Sequence, residues 1–173
     1  MQAAIFAHDQ LVAGSADIVV AGGMESMTGA PYLIPKARGG YRIGHGMMYD
    51  HMMLDGLEDA YEKGRSMGTF AEECVAKYQF SRADQDAFAI DSVKRAQAAT
   101  ADGSFQWEIA PVTVPGRNGD TVIDKDEGPL KAKLDKIAAL KPAFKKDGTI
   151  TAASSSSIND GAAAVVLMRE STA

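Results

Sequence analysis

At 173 residues and 18.3 kDa the chain is the size of one ordinary domain, and its 46% apolar and 24% charged residues exclude a disordered polymer. Lys and Arg number 18 against 23 Asp and Glu, a net charge of −5, which excludes the broad basic stripe of a general nucleic-acid binder. The one cysteine, Cys74, excludes an intrachain disulfide and every cysteine-rich zinc pattern. His8, His45 and His51 contain no His-Glu-x-x-His pair, so no metal site is expected. No apolar run approaches the ~20 residues of a membrane span, and the opening residues lack the basic start of a secretory signal. A soluble cytoplasmic protein is expected, without membrane or nucleic-acid partners.

In chain order, Ala-rich Met1 to Ala13 predicts a helix closed by Gly14. Ala16 to Ala21, ended by Gly22-Gly23, predicts a buried strand with parallel pairing. This is half of a crossover unit without its first strand. From Met24 to Arg42, Pro31, Pro35, Gly39 and Gly40 break any periodicity and predict a long loop. Met47, Met48, Met52, Met53, Leu54 and Leu57 read as adaptable core packing on a helix, or more sharply as a wall of an acyl pocket. Phe70 to Tyr78 fits a helix. Ser81 fits an N-cap with Asp84 at the third helical position, opening a helix to Ala101 with Phe88, Ile90 and Val93 among its apolar positions. Asn118-Gly119 between Ile109–Val114 and Thr121–Ile123 predicts a hairpin. Leu134 to Leu140 reads as a short helix, and 149–168 as two β-prone runs around a serine-rich turn.

Candidate chemistry is sparse. Cys74 lies mid-helix after two glutamates, surroundings that do not favour a reactive thiolate, so it reads as structural. No Gly-x-Ser-x-Gly elbow is present. Ser154 to Ser157 offer hydroxyls and backbone N–H groups to a ligand, or form a polar turn that satisfies its own backbone. Lys131, Lys133, Lys136, Lys141, Lys145 and Lys146 read as a solvated face that would also suit the phosphates of an anionic cofactor.

Several collinear segments carry more. Val19 to Met27, Ser66-Met67-Gly68-Thr69-Phe70-Ala71-Glu72, Ser81-Arg82-Ala83-Asp84-Gln85-Asp86-Ala87-Phe88-Ala89, Leu140 to Phe144, Gly148 to Ala152, Ser156 and Asn159 to Ala164 together resemble the thiolase family, specifically its acetyl-CoA acetyltransferases. The resemblance implies an α/β protein holding part of the thiolase fold. Residues 1–26 and 144–173 would belong to the N-terminal core domain, and 27–143 to the loop domain that covers coenzyme A. It implies an acyltransferase of fatty acid metabolism that joins two acetyl-CoA into acetoacetyl-CoA or cleaves 3-ketoacyl-CoA, with CoA as substrate and no covalently bound cofactor. The whole protein would be a homodimer or homotetramer.

In the family a cysteine thiolate carries the acyl group, a histidine activates it, a second cysteine moves the α-proton, and an oxyanion hole stabilises the enolate. Met1 matches the methionine of the nucleophile's Cys-x-Ser-Gly-Met motif, and the other motifs belong after residue 173. The resemblance therefore places no catalytic residue in this chain. An isolated chain would be inactive, or would serve as a non-catalytic CoA-binding or assembly piece. Carried over as substrate contacts are Ser156, against pantetheine, and Phe144, Met67, Leu57, Ala152 and Ile158, lining the pantetheine and acyl pocket. Lys131 falls near the nucleotide end. Ser66 stands where some short-chain relatives have His, and Ser154-Ser155 where many have Asn-Ala or Asn-Ser.

Overall fold

A computed structural model describes the whole chain, Met1–Ala173. The regular elements are α1 (Gln2–Val12), β1 (Ile18–Glu25), β2 (Tyr32–Leu33), β3 (Tyr49–Asp50), α2 (Met67–Tyr78), α3 (Arg82–Ala101), β4 (Val112–Val114), β5 (Thr121–Ile123), α4 (Glu127–Lys131) and β6 (Gly161–Met168). Packing divides the chain into two units, Met1–Lys63 with Ser157–Ala173, and Gly64–Ser156. The boundaries drawn from the resemblance lie near residues 26 and 143, whereas by packing the segment 27–63 goes with the first unit. No helix is long and apolar enough to cross a membrane.

In the first unit, α1 buries Ala7 and Leu11 against a ribbon of β1 and β6. Gly14, at φ 71°, takes the left-handed conformation that lets the chain leave the helix and turn into β1. Arg169, just past β6, donates to the Leu11 carbonyl at 3.0 Å and pairs with Asp17, so the end of α1 is closed from the ribbon. The β1–β6 ladder is antiparallel, from Ile18↔Met168 to Glu25↔Gly161. This corrects the expected buried, parallel strand: only Ala21 of β1 is buried, and the apolar run carried no information on what covers it or on the direction of its partner. Gly22 lies opposite Ala164, and a Cβ there would come within 2.6 Å of the Ala163 carbonyl oxygen.

The Met-rich stretch does not form the expected core helix. Tyr49–Asp50 pairs as a strand with Tyr32–Leu33, a short coil over 51–57 ends in a π-turn at Met53–Leu57, and Met47 and Met48 are exposed. The many prolines and glycines between β1 and β3 leave short pieces of structure in a mostly irregular segment, as the sequence indicated.

In the second unit α3 is the spine. Ser81 caps it, accepting from the Asp84 N–H at 3.1 Å, and Asp102-Gly103 ends it. Its inward stripe is partly polar: Arg82, Gln85 and Asp86 lead into Ala89, Ile90 and Val93, while Phe88 points away and is 79% exposed. Apolar periodicity therefore misplaced Phe88, because the polar residues of the stripe are buried by hydrogen bonding. The β4–β5 hairpin forms in the register Val112↔Ile123 to Val114↔Thr121, closed by a Gly119 N–H to Gly116 carbonyl bond of 3.2 Å. Leu134–Ala139 is a 3₁₀ turn with Ile137 buried. Residues 149–151 form no strand, since their N–H groups go to side chains instead.

Buried apolar residues are few: Ala7, Leu11, Ala21, Ala89 and Ile137. Val20, Met24, Val165 and Val166 on the ribbon remain exposed. The chain exposes 13,800 Å², where a compact monomer of this mass exposes ~8,100 Å².

Candidate functional site

The seven sequence-predicted site residues divide between the two units. Leu57, half-buried at the end of the π-turn, and Ile158, exposed, belong to the first. Met67, Lys131, Phe144, Ala152 and Ser156 belong to the second.

Within the second unit, α2 and the segment 143–156 come together around one carboxylate. Glu72, on α2, accepts from the Thr149 N–H at 2.8 and 3.1 Å, from the Ile150 N–H at 2.8 Å and from the Thr149 hydroxyl at 3.3 Å. Gln85 of α3 holds the same Thr149 Oγ1 at 3.0 Å. The Ala143 N–H donates to the Ile150 carbonyl at 2.8 Å and closes the segment on itself. Gly148 lies against the Glu72 carboxyl so closely that any Cβ there would collide with it. These bonds replace the strand ladder that the β-prone residues suggested, and they satisfy half-buried backbone that water does not fully reach.

The same arrangement sets Phe144 over the start of α2. Its ring covers Gly68 in contact too close for a Cβ, next to Met67, the first residue of the helix. Arg65, in the approach to α2, lies 3.8 Å from the centre of the Phe70 ring and pairs with Glu73. Downstream, Thr151 is fully buried and begins a capping box. Its N–H donates to Ser154 Oγ at 3.0 Å, its own Oγ1 accepts from the Ala153 N–H, and Ser155 Oγ donates to its carbonyl at 2.8 Å. Ser154 and Ser155 therefore form the self-satisfying polar turn. Ser156 follows them, exposed and outside this network, with Ala152 exposed on the same turn.

Lys131 is not brought to this cluster. It ends α4 and pairs with Glu127 at 2.8 Å. Helix α4 docks on α3 at Gln97, whose side chain donates to the Pro129 carbonyl at 2.8 Å. Gln97 is twelve residues from Gln85 along α3, roughly 18 Å at the helical rise. All six lysines of the basic group are exposed, and Lys141, Lys145 and Lys146 flank Phe144.

Residues quoted only as motif letters prove to be the framework. Arg82 donates through Nε to both oxygens of buried Asp86, at 2.8 and 2.9 Å, and through its terminal nitrogen to the Leu140 carbonyl at 2.8 Å. The i, i+4 spacing of Arg82 and Asp86 was the available signal. Glu72 and Gly148 gave none, since their contact spans the distance between two segments.

No group of three or more His, Cys, Asp or Glu converges to hold a metal ion, and Cys74 is exposed on α2. Of the acids, Asp160 is held below the ordinary carboxylate value by the Thr28 N–H, which donates to it at 2.8 Å. Asp102 is held low first by the Ser104 hydroxyl and then by the Ser104 N–H. A cavity of 930 Å³ opens between the end of α3 and the β4–β5 hairpin, lined by Thr100, Phe105, Ile109 and Ile123 among others, and it includes none of the seven residues. A second, of 230 Å³, lies where Met1 and the start of α1 meet Gly22, Gly23 and Ala163.

Comparison with known proteins gives the frame for this geometry. The acetyl-CoA acetyltransferase of Chromobacterium violaceum is 50% identical over 171 residues, an alignment covering 97% of this chain and 43% of that protein. The acetyl-CoA acetyltransferase of Saccharomyces cerevisiae is 45% identical over 173 residues, covering 98% and 43%. The solved structure of acetyl-CoA acetyltransferase from Syntrophomonas wolfei superimposes with a TM-score of 0.88 at 43% identity, covering 99% of this chain and 43% of that one. The chain thus spans less than half the length of the relatives it matches. The family model for the thiolase N-terminal domain matches residues 1–171, and the chain belongs to the thiolase family.

Proposed function

We propose that this chain supplies the acyl-CoA-facing part of a thiolase-type acyltransferase, which condenses two acetyl-CoA to acetoacetyl-CoA or cleaves 3-ketoacyl-CoA with CoA. The observation that carries the reading is the meeting of Phe144 with the Met67–Gly68 start of α2, on a segment that also bears Ala152 and Ser156. An apolar surface of Met and Phe suits a pantetheine arm and short acyl group, and an exposed serine hydroxyl suits an amide of that arm. Exposed Lys141, Lys145 and Lys146 beside it suit phosphate. Leu57, Ile158 and Lys131 are further substrate contacts on the family resemblance alone.

In this reading residues 1–26 and 144–173 are core-domain pieces, and 27–143 is the cover over CoA. The whole enzyme works in the cytoplasm as a homodimer or homotetramer. The resemblance leaves this chain no group to accept the acyl chain or move the α-proton, so the chain alone binds CoA without turnover.

The purified chain should release no acetyl-CoA from acetoacetyl-CoA plus CoA. Turnover lost in Cys74→Ala would contradict this and make Cys74 the nucleophile. Binding is tested separately by calorimetry, where the absence of heat at millimolar CoA would leave only an assembly role.

A further inference from the structure

We propose that Glu72 is a positioning residue for the acyl-CoA site: its carboxylate fixes the spacing between the Met67–Gly68 start of α2 and the segment that carries Phe144, Ala152 and Ser156. The inference rests on the acyl-CoA reading of those residues. It follows from where the hydrogen bonds go. The 143–156 segment has no strand partner. What holds its middle to a helix is one carboxylate receiving the Thr149 and Ile150 N–H groups at 2.8 Å each, with Gln85 of α3 on the Thr149 hydroxyl. Glu72 stands four residues after Gly68, about one turn along α2, and therefore on the same side of the helix. One helix face thus offers Gly68 as the floor under the Phe144 ring and Glu72 as the anchor of the segment that delivers it. Gly148 is part of the device, because its missing Cβ leaves room for the carboxylate. The hydrogen bonds of Glu72 go to Thr149 and Ile150, not to the residues assigned to the substrate, so it acts through them. Acceptance of two main-chain N–H groups by one charged side chain is a strong, directional restraint.

The test is equilibrium dialysis of the chain against CoA and against adenosine 3′,5′-bisphosphate, which has the nucleotide end without the pantetheine arm. In Glu72→Gln, where an amide nitrogen replaces one acceptor oxygen, the CoA dissociation constant should rise about tenfold or more. Bisphosphate affinity should stay within about twofold, because the loss is confined to the pantetheine-facing segment. Gly148→Ala should reproduce the split, and should add nothing in a Glu72→Ala background, since it acts through the same carboxylate. Hydrogen exchange separates folded from misfolded variants: in a folded variant the hairpin 112–123 keeps its protection while the Thr149 and Ile150 amides lose theirs, and a misfolded one loses both. Unchanged CoA affinity in Glu72→Gln and Gly148→Ala would overturn the proposal, as would equal weakening of both ligands, the mark of a general structural role. A parent chain that retains neither ligand would overturn the acyl-CoA reading itself, and this inference with it.

Discussion

Arg82 joins α3 to the 134–140 segment through a single guanidinium, with Asp86 on one side and the Leu140 carbonyl on the other. Removing it would leave a buried carboxylate unpaired and main-chain acceptors open, a loss of ~2–4 kcal/mol. Arg82→Ala should show this in urea unfolding. Arg82→Lys should recover little, because an ammonium cannot reach both partners in the fork geometry. Ser81→Ala removes the N-cap of the same helix and should cost ~1 kcal/mol. Half of the Arg82 interaction was legible in the sequence, as an i, i+4 ion pair. The other half was not, because its acceptors lie more than fifty positions away and carry no side-chain signature. Asp160 gives a pH prediction. The Thr28 N–H holds its carboxyl below the ordinary value of 3.8. A depressed value stabilises the fold above 3.8, and that contribution is lost as pH falls through the lower, folded value. The Thr28 amide resonance should therefore titrate with a midpoint below 3.8, and a midpoint at or above 3.8 would remove the bond from the account.

The elements written in local signals are the ones the sequence located: α1 with its Gly14 exit, α3 between Ser81 and Asp102-Gly103, and the hairpin around Asn118-Gly119. Those that depend on distant partners were misread. The β1 run needed β6 to declare its antiparallel direction, and the Met-rich stretch needed a covering surface that its own periodicity could not supply. The candidate site divides the same way. Met67, Phe144, Ala152 and Ser156 could be named from motif letters, but the carboxylate that gathers their segment could not. Two substitutions probe the close approaches. Gly68→Ala must push the Phe144 ring off α2, at ~1–3 kcal/mol of overpacking, and should weaken CoA binding more than stability. Gly22→Ala meets the Ala163 carbonyl across the β1–β6 ladder and should cost a similar ~1–3 kcal/mol, read as a lower urea midpoint with no change in CoA affinity for a molecule that still folds.

At the scale of the whole molecule, surface dominates. The exposed area exceeds that of a compact monomer of this mass by well over half, and much of the ribbon's apolar side is bare, with β1 and β6 each pairing on one edge only. Bare edges and exposed valines favour pairing with another chain. The chain should self-associate through this surface, as read by light scattering. A monodisperse monomer at all concentrations would contradict this. The α2 start and the 143–156 segment form the surface proposed to meet CoA. This contact is tested most directly by hydrogen–deuterium exchange of the 173-residue chain with and without millimolar CoA, a measurement that tolerates self-association. Bound CoA should slow exchange in peptides covering 66–72 and 143–156. Exchange unchanged there, or slowed only around the cavity between α3 and the β4–β5 hairpin, would contradict it.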